Sequence, residues 1–165
     1  MVPNLIGRAV MPWARSQKEL LYDISAAMRE ELLELARAGC LVIQMEEPNI
    51  HLAGIQRGGA AQLDVEFFVE IFNKTFHGLR KLPEVWCHTC WGNPAQQCLF
   101  ATPQSYRDAL PHLAKLDVDV LTFECATTGG IDLEAIGKAI QDKKVAVGVV
   151  DHRNLRSSAP CRSRR

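Results

Sequence analysis

The chain has no run of about 18 apolar residues, which excludes an ordinary membrane-spanning helix. Its opening residues, Met1-Val-Pro-Asn-Leu-Ile-Gly-Arg8, lack the apolar core of a secretory signal. There is no excess of either charge: 19 Lys and Arg face 19 Asp and Glu, so no large field draws nucleic acid to the whole molecule. No G-x-G-x-x-G and no G-x-x-x-x-G-K-[ST] follows a strand-like run, so a nucleotide would find no phosphate cradle. The segment 153–165 has five arginines, no acid and no interleaved aromatic residue, and nucleic acid is not an expected partner. It also lacks periodicity and has few apolar groups, so residues 154–165 are expected to form a disordered basic tail.

What is present suits one globular domain. The 165 residues are 47% hydrophobic and 23% charged, enough to enclose a core. Six cysteines stand at 40, 87, 90, 98, 125 and 161, several inside apolar runs, as buried thiols do in a reducing compartment. The expected location is the cytoplasm.

Helical and strand-like stretches alternate. Ser16-Gln-Lys-Glu19 reads as a capping box. Leu20, Ile24, Met28, Leu32 and Leu35 follow at helical spacing, with Gly39 as the stop. Residues 41–45 form a buried strand ending at Glu46-Glu47-Pro48, followed by a long loop over 49–61. A second helix over 64–80 carries Phe68, Phe72, Phe76 and Leu79 on one face, which is core. A strand then runs from Glu84 to the breaker Gly92-Asn93-Pro94. Thr102-Pro103 opens a third helix that Pro111 kinks or divides. Residues 118–123 form a third strand, Asp132 caps a fourth helix with Leu133, Ile136 and Ile140 inward, and 145–150 form a fourth strand.

This alternation predicts an α/β fold with parallel strands and crossover helices. Every strand also ends in groups fit for chemistry: Glu46 and Glu47, His88 and Cys90, Glu124, then Asp151 and His152. In α/β barrels that edge carries the active site. A complete eight-fold barrel needs at least about 200 residues. The expectation is therefore a partial (β/α)8 TIM barrel of about four βα units over residues 1–153. Its open edges require a partner chain or a second copy, or leave a fragment of low stability.

In extended backbone, side chains at i and i+2 share a face. His88 and Cys90 thus present an imidazole and a thiol together. With Glu124 from the next strand they make a nitrogen, sulfur and oxygen set of the kind zinc takes, which names His88, Cys90 and Glu124 as metal ligands. The bland alternatives are a core histidine bonded to backbone and a Glu124–arginine ion pair. Trp86-Cys-His-Thr-Cys90 is also W-C-x-x-C and looks like a thioredoxin redox motif, although no helix begins at Cys87.

Gly39-Cys-Leu-Val-Ile-Gln-Met-Glu-Glu-Pro48 resembles the "A-G-x-x-x-I-Q-x-D-E-P" signature of cobalamin-independent methionine synthases. Val85-Trp-Cys-His-Thr-Cys90 is similar to that family's "I-H-T-H-x-C" strand, Asp119-Val-Leu-Thr-Phe-Glu124 to its "D-V-I-x-I-E" strand, and Val147-Gly-Val-Val-Asp151 to its "G-P-G-V-x-D" strand. The wider group includes epoxide:coenzyme M transferases and resembles uroporphyrinogen decarboxylase in its barrel. The resemblance implies zinc-dependent methyl transfer from a methyl-folate-type donor to a thiol such as homocysteine, in methionine biosynthesis. It places zinc on His88, Cys90 and Glu124, the acceptor's amine on Glu46 with Glu47 beside it, and catalytic roles on Asp151 and His152.

The departures are specific. Glu46 stands where the family has aspartate, which admits a different thiol. Arg153 stands where it has a histidine, so His152 is the nearest proton donor. The family's fourth ligand, in an "N-P-D-C-G" turn, lies beyond the last residue, and Cys161 has the wrong context to replace it. The expectation is a truncated chain. The alternatives to an active methyltransferase are a non-catalytic remnant or half-barrel that needs a partner, and a zinc-dependent thiol transferase of the epoxide:coenzyme M type.

Overall fold

The computed structural model describes residues 16–53, 64–91 and 104–151. Helix α1 spans Gln17–Arg37. Ser16 caps it, its Oγ accepting from the Glu19 N–H at 3.1 Å, and Gly39 at φ 94° turns the chain away in a conformation that favours glycine. Leu20, Leu32 and Ala36 are buried, whereas Leu35, expected inward, is half exposed. The apolar stripe is one residue narrower than the spacing suggested.

Strand β1 is Val42–Glu46. A short helix, α2, follows at Pro48–Ala53, inside the segment expected to be loop. Its start has a recognisable cause: proline in the first turn has no N–H to lose, and Glu47 Oε1 accepts from the Asn49 N–H at 2.9 Å. Helix α3 runs Val65–Phe76, capped by Asp64, whose carboxylate accepts from the Phe67 N–H at 2.8 Å. It stops short of the expected 80 because Gly78 turns left-handed at φ 78° and a 3-10 turn, Leu79–Lys81, takes over.

Strand β2 is Glu84–Thr89, α4 is Leu110–Leu113, β3 is Val120–Glu124, α5 is Leu133–Ala139 and β4 is Lys144–Gly148. Pro111 does not kink a long helix; it sits in the first turn of α4, where it is tolerated. The expected start at Thr102-Pro103 lies outside the described residues, as does the expected tail. Asp132 precedes α5 but makes no capping bond to it, and Leu133 is largely exposed.

The four strands form one parallel sheet in the order β1-β2-β3-β4, with helices in the connections. Sequential order with parallel pairing is that of consecutive βα units, so the fold is α/β and matches part of a TIM barrel. One sheet face meets the helices. Ile43, Val85, Cys87, Leu121 and Phe123 lie there against Phe68, Phe72, Phe76, Leu113 and Ile136. Phe72 and Phe76 stack at 4.6 Å between ring centres, and burying such a ring stabilises by about 2–3 kcal/mol. Strands β1 and β4 are less covered than the expected buried runs: Leu41, Val42, Val149 and Val150 are exposed. Among the described residues no helix is long and apolar enough to cross a membrane.

Candidate metal and substrate site at the strand ends

The sheet register decides which predicted residues meet. Glu46 is opposite His88, and His88 is opposite Thr122. Paired residues in a parallel sheet point to the same side, and every second residue returns to it. Glu46, His88 and Thr122 therefore form one rung on the face away from the helices. Continuing the alternation puts Cys90 and Glu124 in the next rung of that face. Four residues that sequence reasoning picked from three strands fall in two adjacent rungs.

Side-chain contacts refine this. His88 Nδ1 lies 2.7 Å from Thr122 Oγ1. The neighbouring Cys90 side chain, first, as a hydrogen-bonding partner, and then Cys90 and Glu46 through charge, raise the pKa of half-buried His88 above its ordinary value, against the effect of burial. The bland reading of His88 as a histidine bonded only to backbone does not hold.

Glu124 is buried and turned elsewhere. Its carboxylate accepts from the Thr127 N–H at 2.8 Å and the Thr127 hydroxyl at 2.5 Å. Among the described residues its hydrogen-bond partner is Thr127 and not an arginine. The donor types and their rungs suit zinc, and His88 with Cys90 fits two of its positions. The third does not close: among the described residues no three His, Cys, Asp or Glu side chains gather around one point.

The two acidic residues at the end of β1 separate. Glu46 is exposed on the His88 face. Glu47 is on the other side, half-buried beside Cys87, where burial raises its carboxyl pKa; its backbone N–H donates to the His88 carbonyl at 3.2 Å. Both nonetheless line one cavity between α1, β1 and α3, with Met45, Asn49 and Phe72. Asp151 is half-buried, three residues past β4; His152 lies outside the described residues. The W-C-x-x-C reading loses its geometry: Cys87 is buried on the helix side, and Cys90 is on the opposite face. Burial pushes the Cys87 thiol far above the ordinary cysteine range, the reverse of an activated redox thiol.

Sequence reasoning missed the support behind the strand ends. His51 in α2 is buried, and its Nε2–H donates to the Cys90 carbonyl at 2.7 Å. Tyr106 is buried beside it; its hydroxyl donates to the Thr89 carbonyl and accepts from the Glu124 N–H, each at 3.3 Å. Trp91 packs on both rings, 5.0 Å from His51 and 4.4 Å from Tyr106 between ring centres. No spacing rule flags these residues, because their partners are backbone atoms distant in sequence.

Four parallel strands in sequential order, with acid, imidazole and thiol at the carboxyl edge, make an α/β sheet of the kind found in part of a barrel. Residues 8–159 match the family described as "Cobalamin-independent synthase, Catalytic domain", and the chain belongs to that family. It is 27% identical over 142 residues to a methionine synthase of Saccharolobus islandicus, covering 86% of this chain and 36% of that one. It is likewise 27% identical over 140 residues to the methionine synthase of Saccharolobus solfataricus, covering 85% and 36%. The methionine synthase of Sulfurisphaera tokodaii is 27% identical over 146 residues, covering 88% and 36%. The chain thus spans about a third of the length of these relatives.

Proposed function

We propose that this chain carries the metal-binding and acceptor-binding part of a methyltransferase barrel, acting on a small thiol of the homocysteine type. The observation that carries the reading is the register, which puts Glu46, His88, Cys90 and Glu124 on one face in two rungs. His88 and Cys90 would hold zinc, and Glu124 would join them on giving up its Thr127 hydrogen bonds. When bound, zinc supplies acidification of a thiol ligand, so that the acceptor reacts as a thiolate.

The remaining roles belong to the protein. Exposed Glu46 accepts the acceptor's ammonium group, and being one methylene longer than aspartate it selects a thiol of matching length. The donor is a methyl-folate-type molecule. The new bond joins sulfur to the methyl carbon; the bond from that carbon to the donor nitrogen breaks, and its electron pair stays on the nitrogen. Asp151 and His152 supply the proton that this nitrogen takes. Among the described residues Cys40, Cys87 and Cys125 are free thiols, which suits a reducing compartment, and we place the protein in the cytoplasm.

Elemental analysis of the purified chain tests the reading. The expected result is about one zinc per chain, lost in His88→Ala and in Cys90→Ala and weakened in Glu124→Ala, with methyl transfer to a thiol. A chain without zinc overturns it. Stoichiometric zinc without turnover supports a second reading, a metal-binding remnant that does no chemistry. That reading is favoured by the commitment of Glu124 to Thr127.

A further inference from the structure

We infer that His51 and Tyr106 are positioning residues that fix the backbone carrying Cys90 and Glu124; the inference rests on the zinc reading of those two side chains.

The ladder between β2 and β3 ends at Thr89 and Phe123. Cys90 and Glu124 both lie one residue past that last pair; β4 still holds Glu124 opposite Gly148, but no β2–β3 pair joins it to Cys90. Tyr106 takes over this task. Its hydroxyl is donor to the Thr89 carbonyl on one strand and acceptor from the Glu124 N–H on the next. One oxygen thus spans both strands where the ladder stops. The bonds are long at 3.3 Å, but the ring is 1% exposed and held edge-on to Phe123 at 5.1 Å between ring centres.

His51 secures the other side of Cys90. Its Nε2–H donates to the Cys90 carbonyl, while the ring stands edge-on to Trp91 and tilted against Tyr106 at 5.5 Å. A carbonyl held by a buried donor cannot rotate freely, so the Cα–Cβ direction of Cys90 is fixed from behind. The two rings touch neither the His88 imidazole nor the Glu124 carboxylate through any described hydrogen bond. They act through the main chain. Outer-shell partners that orient ligands typically contribute 10–100-fold in metal affinity.

The test uses the 165-residue chain and cobalt(II) as a spectroscopic stand-in for zinc. Affinity is read by competition with a chromophoric chelator, and geometry by the sulfur-to-cobalt charge-transfer and ligand-field bands. Tyr106→Phe removes one hydroxyl, and His51→Phe removes one donor while keeping a ring. Each is expected to weaken cobalt binding about 10-fold and to alter the ligand-field bands. His51→Gln, which can present an N–H near the same point, should recover most of the affinity. Thr75→Val, which breaks the buried Ser25–Thr75 hydrogen bond away from the strand ends, controls for lost stability. Wild-type affinity and spectra in both Tyr106→Phe and His51→Phe overturn the inference. So does an equal loss of affinity in Thr75→Val. If the wild-type chain binds neither cobalt nor zinc, the zinc reading itself fails, a distinct result.

Discussion

Asp132 shows how much one buried carboxylate can organise. It is 1% exposed, and three groups converge on it: the Ser105 hydroxyl at 2.9 Å, the Tyr106 N–H at 2.7 Å and the Arg107 Nε–H at 3.1 Å. Arg107 is mostly exposed, so its ion pair is softened by water and the backbone bond matters more. Removing the carboxylate leaves a buried N–H unsatisfied and frees the segment that seats the Tyr106 ring. Asp132→Ala is expected to cost about 3 kcal/mol in urea unfolding, and Asp132→Asn, which keeps an acceptor, about half of that. A loss below about 1 kcal/mol in the alanine variant would show that the convergence contributes little. The sequence marks Asp132 as a helix cap, since it directly precedes an apolar run. The structure spends its oxygens on residues some 25 positions earlier, a choice that only tertiary packing makes. His88, Cys90 and Glu124 were legible because strand alternation is local. Their His51 and Tyr106 supports were not, because a bond to a distant carbonyl leaves no mark on neighbouring residues.

Among elements, α3 and α4 are tied at the surface by Glu66. Its carboxylate accepts from Lys115 Nζ at 2.7 Å and His112 Nδ1 at 2.8 Å. The Lys115 hydrogen bond, first, and then that of His112, hold the Glu66 pKa below its ordinary value. A carboxyl depressed in the folded state contributes stability above its unfolded pKa. That contribution is lost as the pH falls through the folded value. Glu66→Gln is therefore expected to melt slightly below wild type at pH 7 in low salt, within about 2 °C since the groups are exposed. The gap should close near pH 3 and in high salt, because screening acts on exposed pairs. A gap that persists at both would point to packing instead of charge. At this scale the sequence was informative where caps are local: Ser16 and Asp64 start α1 and α3 as their side chains imply. It misplaced the end of α3 because the Phe stripe continues to Leu79, which is buried in a 3-10 turn and serves the same core. It passed over α2 because six residues offer too little periodicity to notice.

At the scale of the whole molecule, the sheet has two edges, the outer sides of β1 and β4, with no strand beside them among the described residues. The apolar side chains near them are unusually open: Leu41 is 81% exposed and Val149 78%. A partial barrel predicted the open edges, but not that the apolar side chains beside β1 and β4 would be so exposed. Apolar composition reads as burial whether the covering partner is in the same sheet or elsewhere. An uncovered strand edge flanked by apolar side chains templates pairing, and a lysine on it opposes that pairing. The 165-residue chain is therefore expected to associate as its concentration rises, measurable by sedimentation velocity. Val42→Lys on β1 and Val149→Lys beyond β4 should each shift the distribution toward the monomer while leaving α1 and α3, and hence most of the helical signal, in place. Zinc content separates the two scales further. The proposed ligands lie on β2 and β3, the inner strands, so a monomerising lysine at either edge should leave the metal bound. Should zinc leave together with the association, the site would be shared between copies, and the ligand set drawn from β2 and β3 alone would be incomplete.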